Sequence, residues 1–217
     1  MNTFSEENYL KSIYRLSQLA GVKVSTSAIA DALGNNPASV VDMIRKLSDK
    51  QLIEYDKKKG VKLTPQGQKD AIQIVRKHRL WEVFLLEKLA YRWDEIHDIA
   101  EELEHIKHPD LADRLEHFLN YPEYDPHGDP IPKANGKMAK PFSATLADGK
   151  IRTIYRVGAV RDTSSAFLQY LHKLGITIGT QIKLHEKIAF DQSLVISIDG
   201  ADPVTVSQKF GENILTS

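Results

Sequence analysis

Between Ser27 and Leu63 the chain carries two short helical segments, a tight turn and a lysine-rich hairpin, and that succession leaves few folds open. Ser27–Leu33 reads as a helix ended by Gly34, and Asn36 caps a second one that opens at Pro37 and runs to about Lys50. Two helices joined by so short a turn have helix-turn-helix spacing. Leu52–Tyr55 and Val61–Thr64 then read as strands around Asp56-Lys57-Lys58-Lys59-Gly60, which completes a winged helix-turn-helix. Helical spacing turns Val40, Met43, Ile44 and Leu47 toward a core and leaves Asn36, Pro37, Ala38, Ser39, Asp42 and Lys46 outside. Small and polar groups at a helix N-terminus suit the major groove of DNA, and Lys57, Lys58, Lys59 and Lys62 suit its phosphates. A helix over Ser5–Leu19, with Ser5 as its N-cap and Tyr9, Leu10, Ile13 and Leu16 on one face, precedes this unit.

Downstream, helices are predicted from Pro65 to about Tyr91, from Asp94 to Ile106 and from Pro109 to Leu119. Leu85, Leu86, Leu89, Trp93, Leu111, Leu115 and Leu119 are candidates for a dimer seam or for monomer core. Residues 121–149 are rich in Pro and Gly and read as a linker. Beyond them, Ile151–Val160, Gln181–Ile188, Leu194–Ile198 and Pro203–Ser207 read as strands around a short helix at Ser165–Leu174, a small barrel. The expected architecture is therefore mainly α with a β-rich C-terminal domain. Its parts are a winged helix-turn-helix domain (1–64), a helical metal-binding and dimerisation domain (65–122), a linker (123–149) and the β-rich domain (150–217).

Composition narrows the function. Hydrophobic residues make up 41% of the 217, enough for a real core, yet apolar runs are too short for a membrane span or a signal peptide. With no cysteine, disulfides, thiolate nucleophiles, thiolate zinc sites and iron–sulfur ligation are excluded, and a cytoplasmic home is the simplest. The formal net charge of zero hides an asymmetry: Arg45–Arg79 holds eleven Lys and Arg against four Asp and Glu, whereas Glu82–Asp129 holds four against fourteen. A polyanion-binding surface beside a cation-binding one fits that pattern, and so do two solvated faces of opposite sign.

At the edge of the acidic block His78 and Glu82 stand four residues apart, and within it His97, Glu101, Glu104 and His105 follow at helical spacing beside Ile96, Ile99, Ala100, Leu103 and Ile106. Imidazoles and carboxylates at the border of a core are good ligands for a divalent first-row ion, and without thiolates Mn(II) or Fe(II) is favoured over structural zinc. Without an ion, the same stripe is a structural polar seam.

Several segments occur together in a fixed order: Glu7-Asn8-Tyr9-Leu10-Lys11-Ser12-Ile13-Tyr14, the helix-turn-helix from Ala28 to Leu47, Leu63-Thr64-Pro65-Gln66-Gly67, Arg76-Lys77-His78-Arg79-Leu80, His97-Asp98, Glu104-His105 and Gly128-Asp129-Pro130-Ile131-Pro132. In these the chain resembles the metal-dependent repressors of the diphtheria toxin repressor and manganese transport regulator type. Leu171–Ile176 followed by Gly179 resembles the C-terminal SH3-like domain of their long members. The resemblance implies two metal sites per chain. A primary one falls on Asn8, Glu101, Glu104 and His105, and an ancillary one on His78, Glu82 and His97, with Asp162 as a further ligand from the SH3-like domain. It also implies manganese, since iron-responsive members carry Cys where this chain has Glu101. Asn8 offers a neutral amide oxygen where the family has Met or Asp; Lys11 replaces a Glu of the short manganese regulators, so a closely spaced binuclear site is not expected.

The expectation is a cytoplasmic, homodimeric repressor that Mn(II) activates to bind a palindromic operator and that controls metal-ion uptake, with no membrane and no organic substrate as partner. An Fe(II)-responsive repressor is the near alternative, and a winged-helix regulator with a merely structural seam is a farther one. The chain has no Walker A, Gly-x-Ser-x-Gly or His-Glu-x-x-His motif, so an enzyme is not expected.

Overall fold

A computed structural model describes residues 2–19 and 24–217, and the chain divides into two compact units. The first comprises the chain up to His78 together with Glu101–Asp113 and Pro132–Lys137; the second comprises Arg79–Ala100, Arg114–Ile131 and Met138–Ser217.

The first unit opens with α1 (Phe4–Ser17), α2 (Thr26–Leu33) and α3 (Pro37–Asp49), followed by a hairpin of β1 (Ile53–Asp56) and β2 (Gly60–Leu63). Each helix starts where a side chain satisfies its orphan amides. The cap of α1 is Thr3 rather than Ser5: Thr3 Oγ1 accepts from Glu6 N while the Glu6 carboxylate accepts from Thr3 N, a reciprocal capping box. Ser25 and Asn36 cap α2 and α3, and Gly34, at φ 63°, ends α2 in the left-handed conformation that a side chain resists. Strands β1 and β2 pair antiparallel from Ile53 opposite Leu63 to Asp56 opposite Gly60. At the hairpin tip Asp56 Oδ1 accepts from the amides of Lys58 (2.7 Å) and Lys59 (2.8 Å). Leu10, Ile13, Ile29, Val40, Ile44, Leu47 and Ala71 close the core, all essentially inaccessible to water.

Helix α4 (Pro65–Leu89) contributes residues to both units, as do α5 (Ile96–Leu103) and α6 (Leu111–Phe118). Helix α5 is shorter than the spacing suggests. Glu104 and His105 lie in the turn after it, so their position is set by that turn and not by a helical stripe.

In the second unit, β3 (Ala144–Thr145), β4 (Thr153–Val160), β5 (Gln181–Lys187), β6 (Leu194–Ile198), β7 (Val204–Val206) and β8 (Ile214–Thr216) form one antiparallel sheet. Its order is β3-β8-β4-β5-β6-β7, with α7 (Ser165–Lys173) and α8 (Gln208–Asn213) as its helices. Its core gathers Leu146, Leu171, Ile176, Leu184, Ile196 and Ile214. The pairing of β8 between β3 and β4, and the helix α8 that leads into it, were not expected from the sequence. Nor does the Pro- and Gly-rich stretch run loose over the surface: Asp125, His127, Gly128, Pro130 and Ile131 are buried. Val160 N donates to His127 O at 2.9 Å, and a Cβ on Gly128, whose φ is +86°, would stand 2.2 Å from Gly158 O. Only glycine permits so close an approach of this loop to β4. Among the described residues, no helix is long and apolar enough to cross a membrane.

Candidate metal centre

Each unit holds a cluster of the residues singled out by type and spacing. In the first unit, Glu104 is fully buried and His78 Nδ1 lies 2.7 Å from its Oε2. The ammonium of Lys11, only 8% exposed, stands 2.5 Å from Glu101 Oε1 and 2.7 and 2.8 Å from the two oxygens of Glu104. A lysine of α1 thus fills the space that these carboxylates face. His105 turns its Nδ1 to Glu7 Oε2 at 2.6 Å and stacks on Phe4 with ring centroids 4.7 Å apart, while its Nε2 is 3.8 Å from Glu104 Oε1. Asn8 lies three residues before Lys11 on α1, and its Oδ1 is buried without a hydrogen-bond partner. Of the expected primary ligands, Glu101, Glu104 and His105 are therefore drawn together, and Asn8 keeps an acceptor to spare.

The second unit holds Glu82 and His97, with His97 Nδ1 3.4 Å from Glu82 Oε1. His78, also expected in the ancillary set, belongs to the first unit, with its Nδ1 4.0 Å from Glu101 Oε1 and 2.7 Å from Glu104 Oε2. The further neighbours of Glu82 come from the loop read as linker. Glu82, Asp125 and His127 are all buried, and each offers a ligand atom within 4.8 Å of the others. His127 is 3% exposed and stacks against Trp93 with centroids 5.8 Å apart. Asp125 Oδ1 accepts from the backbone amides of His127 (2.8 Å) and Asp129 (3.0 Å), and Arg79 Nε stands 3.4 Å from its other oxygen. Burial, reinforced by the charges of Glu82 and Asp129, raises the Asp125 carboxyl to about 7 against the pull of Arg79 and His127. Burial opposes the charged form of His127, yet Glu82 wins and its pKa rises. Asp162 Oδ1 accepts from Ser164 N at 2.9 Å at the start of α7, and hydrogen bonds from the Ser164 side chain and backbone hold its carboxyl below the ordinary range.

These donors fit a divalent cation. Two buried carboxylates facing one another are destabilised unless a positive charge joins them, and His127 Nε2 is buried without a partner. All the donors are oxygen or nitrogen, the set that suits manganese or ferrous iron. The Asp-x-His spacing at Asp125 and His127 was the available signal for this cluster.

On α3 the expected groove-facing residues Asn36, Pro37, Ala38, Ser39, Asp42 and Lys46 are exposed, as are Lys57, Lys58, Lys59 and Lys62 on the hairpin. Lys46 is not a free charge: its ammonium lies 3.2 Å from Glu6 Oε1, and Lys50 lies 2.8 Å from the same oxygen.

Residues 1–61 match the family described as "Iron dependent repressor, N-terminal DNA binding domain", residues 64–133 its "metal binding and dimerisation domain", and residues 144–216 the "FeoA domain". A manganese-dependent transcriptional repressor solved in complex with manganese superposes with a TM-score of 0.85 at 33% identity, covering 97% of this chain and 98% of that one. The HTH-type transcriptional regulator MntR of Oceanobacillus iheyensis is 37% identical over 121 residues, which are 56% of this chain and 81% of that protein. The chain belongs to the diphtheria toxin repressor and manganese transport regulator family. That is a family of metal-dependent, DNA-binding transcriptional repressors with a dimerisation domain. Its iron-responsive branch is represented by the iron-dependent repressor IdeR of Mycobacterium leprae, 32% identical over 145 residues, 67% of this chain and 62% of that protein. The structure of the manganese regulator SloR also matches, with a TM-score of 0.77 at 35% identity over 98% of this chain and 97% of the other. As in the family, the six-stranded C-terminal sheet is an SH3-like domain.

Proposed function

We propose that this repressor is activated by Mn(II), binds a palindromic operator as a homodimer in the cytoplasm, and controls genes of metal-ion uptake. The observation that carries the choice of metal is the chemistry of the two clusters. Glu101, Glu104 and His105, with Asn8, supply the first, and Glu82, Asp125 and His127 the second, every donor an oxygen or nitrogen. Hard, sulfur-free donors favour manganese, and the family's iron-responsive branch makes Fe(II) the comparison to run. An ion bound there would add positive charge between carboxylates that now share Lys11 in the first cluster and Arg79 in the second. His97 beside Glu82, and Asp162 at the start of α7, are the candidates to complete the second set.

On the DNA side, exposed Asn36, Pro37, Ala38, Ser39 and Asp42 would meet base edges and phosphates in the major groove. Lys57, Lys58 and Lys59 would track the backbone, with Lys46 contributing once it leaves Glu6. The metal acts as an allosteric ligand, shifting the balance only as far as it prefers the DNA-competent conformation. Fluorescence anisotropy on DNA from upstream of metal-uptake genes, at fixed salt, tests the reading with chelator, buffered Mn(II) and buffered Fe(II). Tight binding with Mn(II) alone is expected. Preference for Fe(II) overturns the metal, and equal binding with chelator overturns metal control.

A further inference from the structure

We propose that Lys11 is a tethered cation that competes with the metal for Glu101 and Glu104, so that a divalent ion enters the first cluster only by displacing the lysine ammonium. The inference deepens the metal-activation reading above and rests on it.

The geometry is that of an occupied site. One ammonium contacts three carboxylate oxygens at 2.5, 2.7 and 2.8 Å, and its partner Glu104 is wholly inaccessible to water. Lysine is a point charge with three rotatable donors, and here those donors reach the oxygens a metal would need. Lys11 thus compensates the buried carboxylate, and from α4 His78 Nδ1 lies 2.7 Å from Glu104 Oε2. Leaving that carboxylate uncompensated would be costly, which is why a cation belongs there at all times. The flexible four-carbon stem of lysine, unlike a metal, is fixed at its root to α1 and is able to swing out. Asn8 sits three residues earlier on the same helix with an unpartnered buried oxygen, a donor the lysine leaves unused. The ion therefore has to outbid an internal charge, and the lysine sets the concentration at which the site fills.

The test separates this cluster from the other by removing His127. Mn(II) binding is followed at constant pH by the loss of the free-ion electron paramagnetic resonance signal, for wild type, His127→Ala, His127→Ala/Lys11→Met and His127→Ala/Lys11→Arg. Methionine keeps the volume of the stem without its charge, and arginine keeps the charge. The Met variant is expected to bind Mn(II) roughly tenfold or more tighter than His127→Ala alone, with the Arg variant showing no tightening. Equal affinity for Met and Lys, or the same tightening with Arg, overturns the proposal. Should the Met variant unfold without metal, Mn(II) is expected to restore its melting transition, and failure to restore it overturns the proposal too. Wild type that binds no Mn(II) at all sinks the underlying reading instead, a result distinct from equal affinities among variants that do bind.

Discussion

Glu6 shows how much a single carboxylate contributes to the frame behind the recognition helix. It is fully buried; burial alone would raise its pKa, but the bonds from Lys50, the Thr3 amide and Lys46 bring it down to about 2. Because the folded value lies below the ordinary 4.5, its stabilisation is complete above pH 4.5 and is lost as the pH falls toward 2. With Lys46 and Lys50 partly solvated, the contribution is about 2 kcal/mol. Thermal melts of wild type and Glu6→Gln should therefore differ by that amount at pH 7 and converge only as the pH falls to about 2. Other residues were harder to read from the chain. His78, Glu101, Glu104 and His105 announced themselves by type and spacing, whereas His127 and Asp125 sit among prolines and glycines, where composition says linker. What brings them beside Glu82 is the packing of their loop on β4, a non-local contact with no periodicity to betray it. Lys11 was visible only as a missing ligand; its position against Glu101 and Glu104 needed the three-dimensional fold.

At the scale of elements, the helix-turn-helix was legible almost to the residue because its signals are local. Ser25, Gly34, Asn36 and Pro37 each act within one turn of the backbone. The strands β3 and β8 are two and three residues long and carry no pattern of their own; only their pairing across the sheet defines them. The hairpin of β1 and β2 carries its own prediction. Replacing Lys57, Lys58 and Lys59 by alanine should weaken operator binding evenly across sequences and flatten its salt dependence by about one unit for every lysine that meets a phosphate. The loop over β4 carries another. Gly128→Ala puts a Cβ into Gly158 O and Ala159 at a positive φ, and should cost the second unit roughly 2–4 kcal/mol, read as a lowered denaturation midpoint.

For the whole molecule, the segment matched as the metal binding and dimerisation domain leaves large apolar side chains exposed. Of the leucines read as a possible seam, Leu85, Leu115 and Leu119 are core, while Leu89 is 52% exposed. The sequence reading passed over Phe118, 62% exposed and 6.1 Å from Phe84 between ring centroids. Phe118→Glu should shift sedimentation equilibrium toward monomer by about tenfold or more in the dissociation constant, with the monomer fold intact by circular dichroism. The donors gathered in both clusters have a last consequence of a different kind. Thiolate sensors are consumed by peroxide, which carries sulfur through sulfenic to sulfonic acid and strips the bound ion. Here the proposed ligands are carboxylates, an amide and imidazoles and the chain has no cysteine, so oxidants find no thiolate to attack at either cluster. The metal response should survive handling in air, and a cell meeting an oxidative burst would retain its reading of metal supply when it needs it most.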